Sequence, residues 1–219
     1  MPQQPSDQHW LDRIRDGDTS AMGELLSAYQ GRLFNVCLRM LSNRDDAAEA
    51  TQEAMLKIIQ HIDSFRGRSQ LSTWMIRIAM NQATTRLRQR QRRPTFSLDG
   101  RGHANGRAHR VGGDDQASGL REVLSDSREP EPGAGVEKEE LRRQLQTALG
   151  TLEEEFRAVL VLRDIDGMDY QQIADVLETP VGTVKSRLFR ARLAMRQQLQ
   201  AMEDRPRSNP ASRPEVHDG

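Results

Sequence analysis

A break in character divides this chain into two helical pieces, and that break limits its fold more than any other feature. Between about residues 94 and 136 the sequence carries Pro94, Gly100, Gly102, Gly106, Gly112, Gly113, Gly119, Pro130, Pro132, Gly133 and Gly135, with few large apolar residues. Such a stretch buries too little apolar surface to offset the entropy of ordering. A flexible linker is expected there, with a short helical piece around Leu120 to Leu124. The flanking pieces, 7–93 and 137–202 of the 219 residues, are each the size of a small domain. Aromatics make up only 4% of the chain, so Leu, Ile, Met and Ala must do the packing, as they do in small helical bundles.

The first piece reads as helix almost throughout. Leu11 and Ile14 open it in a short helix that stops at Gly17. Leu25, Leu26, Tyr29, Leu33, Val36, Met40 and Leu41 recur at three- and four-residue steps. A third helix is expected from about Asp45 to Ile62, with Met55, Ile58, Ile59 and Ile62 as its apolar stripe. A fourth begins near Ser72 and runs through Trp74, Ile78 and Leu87 into arginine-rich sequence. Strand alternation with tight turns is missing. The fold class is therefore all-α: two small helical domains joined by a linker, then a disordered tail over 203–219 that is rich in Pro, Ser and Arg.

The formal net charge is +0, yet the charges are segregated. Arg66 to Arg93 holds eight arginines and no acid, and Val181 to Arg196 holds Lys185, Arg187, Arg190, Arg192 and Arg196, again with no acid. Acids gather at Asp45, Asp46, Glu49 and Glu53 and between Glu137 and Glu155. Two basic surfaces on a neutral chain imply two polyanion contacts, with acidic faces left for a protein partner.

The third zone is punctuated like a helix-turn-helix. Thr151 with Glu154, and Asp169 with Gln172, have capping-box spacing, and Thr179 before Pro180 reads as an N-cap followed by proline at the first helical position. Helices are expected at about 152–163, 170–177 and 180–201, the first two separated by Asp164 to Asp169 and the last two by a tight turn at Glu178 and Thr179. On the last helix Val184, Leu188, Ala191, Met195 and Leu199 form the packing stripe, while Gly182, Ser186, Phe189 and Leu193 point the opposite way. Small, hydroxyl and basic residues in the first half of that helix suit the major groove, where Arg and Lys bond guanine edges or phosphates. A basic helix that merely faces solvent is the bland alternative.

The first piece adds a different chemistry. Phe65-Arg66-Gly67-Arg68 precedes Ser72-Thr73-Trp74, then Arg77 and Asn81. Opening a duplex needs cations for the backbone and platforms for an unstacked base, and these residues offer both. Plain core packing is the favoured role for Trp74, four residues from Ile78 on one helix face.

The run DDAAEATQEAMLKIIQHIDSF (Asp45 to Phe65), continued by FRGRSQLSTWMIRIAMN, resembles region 2 of extracytoplasmic-function (ECF) RNA polymerase sigma factors, in particular the RpoE-like group. LRDIDGMDYQQIADVLETPVGTVKSRLFRARLAM (Leu162 to Met195) resembles their region 4. The resemblance implies a non-enzymatic subunit that binds core RNA polymerase (the β and β′ subunits) and reads promoter DNA, both duplex and melted single strand. It implies polymerase contacts at Glu49, Gln52 and Glu53, of which Gln52 and Glu53 match the helix that meets the β′ clamp. It places Phe65, Arg66, Ser72, Thr73, Trp74, Arg77 and Asn81 in the surface that melts and reads the minus-ten element. Thr183, Lys185, Ser186, Arg187, Phe189 and Arg190 fall on the helix that reads the minus-thirty-five element. An anti-sigma factor is a further implied partner. The chain departs from the family at Ile59, where an aromatic is common, and at Met80 and Gln82; the loop from Phe65 to Leu71 varies within it, so the minus-ten sequence does not carry over.

An enzyme finds little support. His9, His61, His103, His109 and His217 are scattered, and Asp164, Asp166 and Asp169 lack the later glycine and glutamate of a calcium loop. No metal, cofactor or catalytic residue is expected. Cys37 is alone, so no internal disulfide forms, and it reads as a buried apolar residue. No apolar run approaches the ~20 residues of a membrane span, and Met1 to Trp10 lacks a secretory apolar core, so a cytoplasmic protein is expected. The runner-up is a free-standing helix-turn-helix regulator with an N-terminal interaction domain, for which the FRG…STW run would have no purpose.

Overall fold

Residues 7–92 and 136–204 are the ones described by the structure, a computed structural model. The linker expected over 94–136, apart from Val136, and the tail beyond Asp204 lie outside the described residues. So does the helical piece expected at Leu120 to Leu124. Every regular element among the described residues is helical: α1 (Asp7–Arg15), α2 (Thr19–Leu41), α3 (Arg44–His61), α4 (Leu71–Arg92), α5 (Val136–Thr151), α6 (Glu154–Leu160), α7 (Tyr170–Leu177) and α8 (Val181–Glu203). None of them is long and apolar enough to cross a membrane.

In the N-terminal unit α2, α3 and α4 pack on one another, with Leu25, Leu33, Met40, Ile58, Leu71, Met75, Ile76 and Met80 fully buried. The face α3 turns inward is Ala47, Ala50, Thr51, Ala54 and Ile58, so small side chains let it lie close against its neighbours. This corrects the expected stripe: Ile58 and Ile62 are buried, but Ile59 is 45% exposed, one residue off the inward face. Asp18 caps α2 and Asn43 caps α3, each accepting a backbone N–H in the first turn. The N-terminus of α4 is satisfied from a distance, by Asp7 of α1, whose carboxylate accepts the Leu71 N–H at 2.9 Å. Cys37 is buried without exposure, as its apolar surroundings in the sequence imply.

The C-terminal unit folds α6, α7 and α8 into the expected helix-turn-helix, with Val184, Leu188, Ala191 and Met195 buried along α8. The Asp169–Gln172 capping box is present in both directions. The other two expected caps are not formed. Thr151 ends α5 and its hydroxyl donates to the Ala148 carbonyl at 2.7 Å, while α6 starts after Glu153 without a side-chain cap. Pro180 is itself the N-cap of α8, and the Thr179 hydroxyl donates backwards to Leu177 at 3.0 Å. In both places a threonine hydroxyl found a carbonyl of the preceding turn first.

After α6 the chain widens into one π turn, Val161–Ile165, closed by the Asp166 N–H on the Val161 carbonyl. Gly167, at φ +81°, then reverses the chain. The widened turn aims two carboxylates in different directions. Asp164 points into its own unit and takes a two-pronged bond from Arg192 at 3.1 and 2.7 Å. Asp166 reaches the other unit and takes a matching bond from Arg32 of α2 at 2.8 Å on each oxygen.

Other polar contacts join the two units. Arg157, only 6% exposed, donates to the carbonyl of Met40 on α2 as well as to those of Gly150 and Leu152. Arg39 donates to Gln146, which in turn donates to Leu38 and Ser42. Burial lowers the pKa of Arg157, and burial, then Arg142, lowers that of Arg39 to about 10.

Candidate nucleic-acid interface

Three surfaces carry the residues singled out in the sequence. On α3, Glu49, Gln52 and Glu53 are exposed on one face, and α4 answers them with arginine. Arg86 pairs with Glu49, with Asp46 at 3.2 Å and with Glu53 at 3.4 Å, and Arg90 reaches Asp46 at 3.5 Å. Exposed pairs of this kind contribute little stability, so the carboxylates can exchange partners at small cost. The same face continues into Leu56 and Ile59, the former 57% exposed. Sequence reading missed Leu56, although the steps 49, 52, 56, 59 put all four residues on one side of a helix.

The second surface is α4 with the loop before it. Gly67, at φ +69°, lets the loop turn so that Arg66 and Arg68 stand in solvent. Phe65 is buried and packs on half-buried Trp74, ring centroids 5.4 Å apart and tilted by 52°. Thr73 is also buried, while Ser72 is half-buried and Asn81 exposed. Phe65 and Thr73 are therefore buried in this conformation, while Arg66, Arg68 and Asn81 are exposed and Arg77 and Trp74 half-buried. Arg77 is already occupied: it pairs with Glu178, at the turn before α8.

The third surface is the first half of α8. Lys185, Ser186 and Arg190 are exposed, and Thr183, Arg187 and Phe189 half-buried. Lys185 lies over the Tyr170 ring at 5.5 Å, with Arg163 on the same ring at 4.7 Å. Arg187 pairs with Glu155 at 2.6 Å, and the Ser186 hydroxyl donates to Thr183 within the helix. Arg190 makes no such commitment among the described contacts, so its guanidinium is available to a base edge or phosphate.

Comparison with known proteins meets these surfaces in the same order. The family model for sigma-70 region 2 matches residues 25–93, and that for sigma-70 region 4 matches residues 142–195. The chain is 33% identical to the ECF RNA polymerase sigma-E factor of Haemophilus influenzae, over 92% of this chain and 100% of that one. The corresponding factor of Escherichia coli strain K12 is also 33% identical, over 92% and 98%. The ECF sigma factor SigW of Bacillus subtilis is 32% identical, over 86% and 94%. Among solved structures, the fold is similar to the sigma factor RpoE of Bartonella quintana in complex with the anti-sigma factor NepR, with TM-score 0.56, 22% identity, and 81% and 96% of the two chains covered. It is also similar to CnrH in complex with the cytosolic domain of CnrY, with TM-score 0.61, 20% identity, and 90% and 99% covered. With both regions matched in order, and relatives matched over nearly their full length, the chain belongs to the ECF family of RNA polymerase sigma factors.

Proposed function

We propose that this chain acts as an initiation factor, not as an enzyme, with each surface in a separate task. Residues 7–93 serve as region 2, 137–202 as region 4, and 94–136 as the linker between them. Glu49, Gln52 and Glu53, with Leu56 and Ile59 beside them, dock on the polymerase β′ clamp. Arg66, Ser72, Thr73, Arg77 and Asn81, with Trp74 packed on Phe65, form the surface that takes the opened minus-ten strand by backbone charge and by stacking. Thr183, Lys185, Ser186, Arg187, Phe189 and Arg190 read the minus-thirty-five duplex from the major groove. Core polymerase and promoter DNA place the protein in the cytoplasm. The similar fold of the Bartonella quintana sigma factor RpoE, solved in complex with the anti-sigma factor NepR, supports an anti-sigma factor as a further partner.

The observation that carries this reading is that two basic helices, α4 with an aromatic at its base and α8 within a helix-turn-helix, occur in one chain beside an exposed acidic-apolar face on α3. A free-standing regulator has no use for the first of them. Pulldown with core polymerase followed by transcription from a promoter library tests it. The double variant Gln52→Lys with Glu53→Lys is expected to weaken core binding about tenfold or more, equivalent to about 1.4 kcal/mol. Tight, specific binding of the wild-type chain to a palindromic duplex without polymerase, together with no core binding, would establish the regulator instead.

A further inference from the structure

The first turn of α4 carries Ser72, Thr73 and Trp74 of the candidate minus-ten surface, yet its own sequence supplies no good cap. Gln70, just before it, is not one of the short polar residues that cap a helix well. The opening N–H groups of a helix have no partner within it. Here the first of them, at Leu71, donates to the Asp7 carboxylate of α1 at 2.9 Å. A negative charge at that end also complements the helix dipole. The Thr73 hydroxyl, buried in the same turn, has no hydrogen-bond partner among the described residues, so it adds nothing to the hold.

Asp7 is itself held in place. Trp10 and Leu11 bury one face of α1, and Arg13 pairs with Asp18 at 2.7 Å and Glu24 at 2.8 Å, fastening α1 to the start of α2. Tyr29 of α2 shares a hydrogen bond with Asp7, and burial, then this carboxylate, raises the pKa of its hydroxyl. Helix α1 thus grips α2 and presents Asp7 to α4, although it precedes residues 25–93, the stretch that matches sigma-70 region 2. Five residues, Arg66 to Gln70, span two fixed points: Phe65 packed on Trp74, and Leu71 bonded to Asp7.

We infer that Asp7 is a positioning residue for minus-ten recognition: from α1 it fixes the first turn of α4, and with it the loop that carries Arg66 and Arg68. The inference rests on the sigma-factor reading above. A loop frayed at its α4 end presents its arginines and Trp74 in many arrangements, few of which fit an opened strand, and the remote cap removes that ordering cost beforehand.

The test uses the full chain in holoenzyme, on a promoter taken from the library selection and varied singly at each minus-ten position. Asp7→Ala is expected to slow strand opening, read by permanganate, about fivefold, equivalent to about 1 kcal/mol, and to flatten the preference among minus-ten bases. Core binding and protection at the minus-thirty-five element are expected to stay at wild-type levels. Asp7→Asn keeps an acceptor oxygen in place and is expected to retain the preference. Asn43→Ala removes the cap of α3 instead, so it is expected to lower the urea midpoint similarly while leaving minus-ten preference as in wild type. Tyr29→Phe removes only the hydroxyl that meets Asp7 and is expected to weaken the preference about twofold, the scale of one hydrogen bond. Unchanged preference in Asp7→Ala would overturn the inference, as would equal flattening by Asn43→Ala. Should Asp7→Ala not fold, Tyr29→Phe decides in its place, and unchanged preference there has the same consequence. Failure of the wild type to open any promoter of the library with core polymerase would instead bring down the sigma-factor reading itself.

Discussion

Cys37 illustrates how far a single residue can be read. As a lone cysteine among helical apolar positions it belonged in the core, and the structure leaves it no exposure, with its sulfur 3.8 Å from the Ala79 carbonyl. Burial pushes its thiol up to about 11. The thiolate is the reactive form, so a disulfide reagent is expected to label the native protein far more slowly than the urea-unfolded one at pH 8. Equal rates would contradict the packing of α2 on α4. A folded value above the unfolded value of about 8.5 also fixes a sign: the contribution is intact below pH 8.5 and declines as pH rises toward 11. Cys37→Ala is expected to flatten that part of the stability profile. Other residues were closed to sequence reading. Asp7 capping α4 and Arg32 clamping Asp166 join positions 64 and 134 residues apart, and neither has a local signature.

At the scale of elements, periodicity placed the helices well and misjudged their ends and faces. The α8 stripe was legible because Val184, Leu188, Ala191 and Met195 follow helical steps on one face, which α5, α6 and α7 cover. The α3 stripe was misread because its inward face is built of alanines, which carry little hydropathic contrast beside Leu56 and Ile59. Caps divide in the same way. Asp169 forms its box, and Asp169→Ala is expected to cost about 1 kcal/mol in urea unfolding. Thr151→Ala and Thr179→Ala are expected to cost clearly less, since each hydroxyl only bonds back to a carbonyl of its own turn. A Thr179→Ala cost equal to that of Asp169→Ala would restore threonine as the cap of α8. The π turn at Val161–Ile165 had no sequence signal beyond Gly167 just after it, yet it is what aims Asp164 and Asp166 apart.

At the scale of the molecule, two units in this order were visible from the break at 94–136, and so were their basic helices. How the units meet was not, because Arg157 on Met40 and Arg39 on Gln146 depend on a geometry that no run of sequence encodes. The central claim is that the units read different parts of one promoter, and permanganate and nuclease footprinting of the holoenzyme tests it most directly, using wild type, Arg190→Ala and Asn81→Ala. Arg190→Ala is expected to lose about 1–3 kcal/mol of upstream contact, with weaker protection at the minus-thirty-five element but normal opening of a template already melted at minus-ten. Asn81→Ala is expected to keep upstream protection and lose the permanganate-reactive thymines of the open strand. Equal loss of upstream protection in both variants, with no separate melting defect in Asn81→Ala, would contradict the division of labour between α8 and α4.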